Sequence, residues 1–229
     1  MKKKYLIVLL LLFTSCSSLY VPNAHNTPLL QEQKDIKCTL GVNNLQVAYA
    51  ATEKIGVIGN VSLRKDNGRL DTDFIQSNKQ YEIGVGYFNK NRYGLHNEIY
   101  GGFGGIHSLR KSIEMDGNKQ HEYTFKADGV KLFAQYNVGY LSPTIDIVFS
   151  TRLVGLNFGK PQTNYTESEQ REFQYWGIEQ KMWGFIEPAI TVSRGLGPAK
   201  LYTQIGKSMM LSKGKFSFEP NILYFGVSF

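Results

Sequence analysis

Apolar and polar residues alternate along most of this chain. Leu45, Val47 and Tyr49 stand against Asn44, Gln46 and Ala48, and Ile55, Val57, Gly59, Val61 and Leu63 against Gly56, Ile58, Asn60, Ser62 and Arg64. The same period continues through Tyr81, Ile83, Val85 and Tyr87 opposite Glu82, Gly84 and Gly86. It returns in Val130, Leu132, Ala134, Tyr136 and Val138 opposite Lys131, Phe133, Gln135 and Asn137. Successive side chains of a strand point to opposite faces, so each segment predicts a strand with one apolar face. Ten such segments follow one another, at 33–40, 44–51, 54–64, 78–88, 93–107, 120–138, 143–158, 178–193, 199–211 and 215–229. The first is the least regular, its alternation resting on Ile36, Cys38 and Leu40. No segment carries a helical period, so no helix is predicted.

The connections carry the architectural signal. Those at 52–53, 89–92, 139–142 and 195–198 are short, whereas polar stretches at 65–77, 108–119 and 159–177 are long, with smaller links at 41–43 and 212–214. Barrels of the outer membrane have short periplasmic turns, longer external loops and an even number of strands, with both chain ends in the periplasm. The expected fold is therefore all-β, a ten-stranded antiparallel up-and-down transmembrane β-barrel over residues 33–229. Aromatic residues near the strand ends, among them Tyr49, Tyr87, Tyr93, Tyr140, Trp183, Tyr202 and Tyr224, fit girdles at the two membrane interfaces. A soluble β-sandwich or lipocalin-like domain tethered by lipid is the competing expectation. It calls for polar outer faces and does not predict the asymmetry of the connections.

The first residues read as an export signal. Lys2, Lys3 and Lys4 precede the apolar run from Leu6 to Phe13, which is shorter than the about 20 residues a membrane-spanning helix needs. It ends in Phe13-Thr14-Ser15-Cys16, which resembles the lipobox of bacterial lipoproteins, with Phe13 where Leu is commonest. The resemblance implies a signal peptide over 1–15, a covalent lipid on Cys16 and a lipidated periplasmic leader over 16–32. Three of the 26 Lys and Arg residues lie in the signal, leaving 23 against 19 acidic residues, so the mature chain is only mildly basic. No basic block points to nucleic acid. With Cys16 acylated, Cys38 is the remaining thiol, which excludes an intrachain disulfide and gives no metal-site spacing.

At the other end, Leu223, Phe225, Val227 and Phe229 alternate with Tyr224, Gly226 and Ser228 and finish on an aromatic. This resembles the C-terminal signal of outer-membrane barrels. Together with the lipobox, the leader from Tyr20-Val21-Pro22-Asn23 to Asn26-Thr27-Pro28-Leu29-Leu30, and the segments Leu45-Gln46-Val47-Ala48-Tyr49-Ala50 and Ile55-Gly56-Val57, it resembles small outer-membrane β-barrel lipoproteins of unassigned function. The resemblance implies location in the bacterial outer membrane, with the lipid-anchored N-terminus on the periplasmic side.

The alternation sends Glu82, Glu98, Lys131, Asp146, Arg152 and Glu187 into the lumen, with Gln135, Asn137 and Gln204. A barrel of this size is narrow, and unpaired charges away from water are costly, so a lumen filled by paired side chains is expected. A narrow polar channel is the sharper alternative. In the loop 159–177, Tyr165, Arg171, Tyr175 and Trp176 are candidates for binding a ligand or glycan at the surface. His107 beside Ser108, and His121 beside Glu122, are remote candidates for a hydrolase acting on envelope lipids. No nucleophile elbow, zinc motif or phosphate loop accompanies them, so no catalytic residue, enzyme activity or cofactor beyond the lipid is expected. The expected partners are outer-membrane lipids and a larger outer-membrane protein complex, and the expected role is structural or interactive.

Overall fold

The computed structural model describes residues 18–67, 74–91, 94–116, 119–142, 144–196 and 199–229; the signal segment, Cys16, Tyr93 and the tip of the turn at 197–198 lie outside them. Ten strands form the body: β1 Ile36–Gly41, β2 Asn44–Ala50, β3 Ile55–Asn67, β4 Phe74–Lys90, β5 Leu95–Asp116, β6 Lys119–Tyr140, β7 Ile145–Phe158, β8 Trp183–Leu196, β9 Ala199–Lys207 and β10 Asn221–Ser228. Each pairs antiparallel with its neighbours in the chain. β10 pairs with β9 on one edge and with β1 on the other, where Leu40 faces Val227, so the sheet closes on itself. Closure leaves no long free edge, which an open sheet of this size would expose. The result is a ten-stranded antiparallel barrel and not a sandwich.

The connections β2–β3, β4–β5, β6–β7 and β8–β9 gather at one end, called here the short-turn end; the other five gather at the long-loop end. Side chains alternate as the period-two pattern requires. On β4, Tyr81, Ile83 and Val85 are 65%, 50% and 57% exposed on the outside, while Gln80, Glu82 and Gly84 between them are buried.

The structure differs from the sequence expectation at several places: the expected loop 65–77 is partly strand, with β3 running to Asn67 and β4 starting at Phe74, and the expected last strand, 215–229, begins at Asn221. The expected loop 108–119 is mostly strand, because β5 and β6 stay in register from Leu95↔Tyr140 to Asp116↔Lys119. Ladder hydrogen bonds use backbone groups, so polar side chains do not end a hairpin. A short helix, α1 (Glu167–Glu172), stands in the loop between β7 and β8, held by a capping box between Thr166 and Glu169. Six residues are too few for a helical period to register. The strand expected from 178 starts at Trp183, since Ile178–Gln180 form a 3-10 turn.

Candidate functional site

The lumen is occupied by the protein's own N-terminal leader. Expected beneath the barrel, residues 18–31 instead run through it from the long-loop end to the short-turn end. At the top, Gln76 Nε2 donates to the carbonyl of Ser18 at 2.5 Å, and Asn78 Nδ2 and Ser108 Oγ donate to that of Leu19 at 2.9 and 2.5 Å. The N–H of Leu19 donates to the Ser217 carbonyl, and that of Glu219 to the Tyr20 carbonyl. Gln80 then bonds the carbonyl of Val21, and Tyr224 that of Pro22.

Midway, Gln46 and Asn60 both donate to the Ala24 carbonyl at 2.9 Å, and Gln135 and Asn137 both donate to that of Asn26. Gln204 grips His25 from both sides, accepting from its N–H at 2.7 Å and donating to its carbonyl at 3.1 Å. At the bottom the N–H of Leu30 donates to Glu98 at 2.8 Å. A buried backbone needs a partner for each polar group, and below the parallel bridge of Tyr20 with Phe218 this one pairs with no strand. The Asn and Gln amides of the wall, each carrying donors and an acceptor, take that place.

Shape matches as well as polarity. Leu29 and Leu30 are fully buried in the lower lumen, where Gly139 and Gly56 make room for them. A Cβ on Gly56 would lie 2.6 Å from Leu30 Cδ1, and one on Gly139 2.8 Å from Leu29 Cδ1.

Around the leader the six charged residues expected in the lumen are all buried. Glu82 pairs with Lys131 and, at 3.4 Å, with Arg152, whose Nε also donates to Gln135 at 2.9 Å. Glu187 accepts from the Tyr20 hydroxyl at 2.7 Å and from Ser208 at 3.0 Å, with His25 Nε2 at 3.9 Å. Two carboxylates and two cations thus share one cluster whose formal charges cancel. Lys131 also lies over the Tyr20 ring. Glu98 sits apart, stabilised by donors from Leu30, Tyr100 and Asn137. Asp146 pairs with Lys200 at 2.7 Å near the short-turn end, beside a cavity of about 420 Å³ between the leader and the wall.

The long-loop mouth is covered. Tyr165 and Tyr175, expected as binding residues, are buried: Tyr165 shares a hydrogen bond with Ser112, and Tyr175 accepts one from Arg110 while packing on Phe125 at 4.6 Å. Trp183 and Phe216 stack at 4.8 Å beside them. Arg171 and Trp176 stay on the outside, the guanidinium 4.8 Å from the ring centroid and bonded to Glu167. On the same loop, donation from the Thr166 hydroxyl and then its N–H holds the Glu169 carboxyl below the usual carboxylate range.

The His107–Ser108 pair suggested by the sequence is not formed. His107 points outward to Asp128 at 2.6 Å, while Ser108 points into the lumen, so strand alternation separates them. His121 is exposed. His25 Nδ1 does meet Ser150 Oγ at 2.7 Å, but Ser150 is fully buried and forms no part of the cavity wall. Among the described residues no group of three His, Cys, Asp or Glu side chains could hold a metal ion.

Sequence reasoning placed the charges but missed the leader. The available signal was the number of lumenal amides, at 46, 60, 76, 78, 80, 135, 137 and 204, each of which donates to a leader carbonyl. Compared with protein-family models and with curated proteins, the chain matches none.

Proposed function

We propose that this protein is an outer-membrane β-barrel lipoprotein whose leader seals its lumen, so that it serves as a membrane-embedded structural or interaction module and not as a channel. The observation that carries this reading is the pairing of an apolar exterior with a filled polar interior. Ile83, Val85, Ile99, Phe103, Leu132, Ile147, Phe149, Leu153, Ile190 and Ile205 all face outward and are exposed. Soluble proteins rarely display continuous apolar surface of this extent, whereas a lipid belt about 25 Å tall requires it. Toward the long-loop end a polar row, Lys79, His107 and Asp128, direct neighbours across β4, β5 and β6, interrupts the apolar face on those three strands, with Leu63 exposed beside Lys79 and Ile75 exposed beyond it. Strands β5 and β6, at 22 residues each, exceed the about 9–11 that a tilted strand needs to cross a bilayer, so their outer halves stand beyond the belt.

A channel needs a continuous polar path, and the leader occupies it along its length. In planar bilayers the intact protein is expected to give a flat trace, and a variant lacking residues 18–31 discrete conductance steps. Steady conductance by the intact protein would overturn the sealed-lumen reading. Membrane insertion is tested separately by resistance to carbonate extraction and by a folded band that shifts on unheated gels.

A further inference from the structure

We infer that the protein threads its own N-terminus through its barrel to the cell surface, so that the lipid which the sequence context calls for on Cys16 sits on the outer face of the membrane. This reverses the periplasmic placement expected from sequence, and it rests on the outer-membrane reading above.

The direction of the leader decides it. Leu30 and Gln31 lie at the short-turn end, bonded to Glu98 near the start of β5 and to Asp35 just ahead of β1. Ser18 lies at the opposite end. Its carbonyl partner Gln76 is on the long-loop side of Lys79, and Ser108, which bonds Leu19, is on the long-loop side of His107. Ser18 is therefore on the long-loop side of the polar row Lys79, His107 and Asp128. Two further residues reach at most about 7 Å, so the chain from Ser18 back to residue 16 cannot return through a lumen already filled from 19 to 30. Short turns face the periplasm in barrels of this class, which puts the long-loop mouth, and the start of the leader with it, outside.

The grip on the leader is continuous enough to hold that orientation. Eight of its carbonyls, those of residues 18–22 and 24–26, each accept at least one hydrogen bond from the wall or from residue 219. Reversing the leader would strand the wall amides, the Tyr20–Glu187 bond and the seats of Leu29 and Leu30. The lipid then anchors the barrel from outside while the strands anchor it from within. The arrangement also offers a lipidated N-terminus to surface partners.

The test places a protease recognition site between Ser17 and Ser18, with control insertions at Ser168 in the long loop and between Thr52 and Glu53 in a short turn. Protease is added to intact cells and, in parallel, to cells with a permeabilised outer membrane. Loss of the residues ahead of the N-terminal site is read by mass. The expected result is cutting at the N-terminal and Ser168 sites on intact cells, and at the short-turn site only after permeabilisation. Cutting at Ser168 on intact cells with an N-terminal site protected until permeabilisation would overturn the threading proposal alone. Protection of Ser168 on intact cells would overturn the membrane orientation, and the proposal with it. Should the insertion block folding, judged by the unheated gel, a Ser17→Cys variant in a Cys38→Ser background, labelled with a membrane-impermeant maleimide, reads the same question.

Discussion

The hydroxyl of Tyr20 donates to Glu187 at 2.7 Å, joining two residues 167 positions apart in the sequence and tying the leader to the far wall of the barrel. Both side chains are fully buried, and Ser208 is the other donor to the same carboxylate oxygen. Tyr20→Phe keeps the ring over Lys131 and removes only the donor. Leaving a buried carboxylate short of one bond costs about 1–3 kcal/mol, so the folded gel band should convert at lower temperature than in the parent. An unchanged conversion temperature would mean that the leader is not seated there.

The charge cluster should behave as a unit. Arg152→Met leaves Glu82 with Lys131 as its one cationic partner and the cluster with one excess negative charge; breaking a buried pair costs about 3–5 kcal/mol. Adding Glu82→Gln restores neutrality, with Lys131 facing Glu187. The double variant should therefore lose less stability than the two single variants added together. Urea midpoints for folding into lipid vesicles give the comparison, and strict additivity would show that the groups do not interact.

Two adjacent glycines should respond in opposite ways. A Cβ on Gly102 would sit 2.2 Å from the Ile83 carbonyl and 2.6 Å from the Phe133 ring, whereas one on Gly101 would meet nothing within 4 Å. Gly102→Ala should cost about 1–3 kcal/mol through overpacking. Gly101→Ala should be neutral or stabilising by about 0.4–1 kcal/mol, because it restricts only the unfolded chain. The same urea titration distinguishes them.

The lipid belt can be probed at Leu132, whose side chain is 51% exposed on the outer face of β6. On a water-facing surface Leu132→Arg would be close to neutral. In a bilayer it should cost about 2–4 kcal/mol if the residue lies near the midplane. Folding yield into vesicles, measured against a Lys79→Arg control at the polar row, separates the two cases.

The sequence by itself determined which face each strand turns inward. A period of two places Glu82, Lys131, Arg152 and Glu187 on one side and Ile83, Leu132 and Leu153 on the other without knowledge of any neighbour, because a strand's geometry is local. The alternation of short and long connections likewise determined an up-and-down barrel. What fills that barrel was decided by tertiary structure alone. The leader carries Pro22 and Pro28, has no period, and makes its bonds to side chains on strands far along the chain, as His25 does to Gln204 across 179 residues. Tyr165 and Tyr175 looked like exposed loop aromatics for the same reason. Whether an aromatic ring covers a mouth or faces solvent depends on what lies beneath it, and here that is Arg110, Ser112 and Phe125. An amide-rich lumen announces that some backbone must occupy it. Which segment enters, and from which end, follows only once the closed barrel presents its donors along a single path.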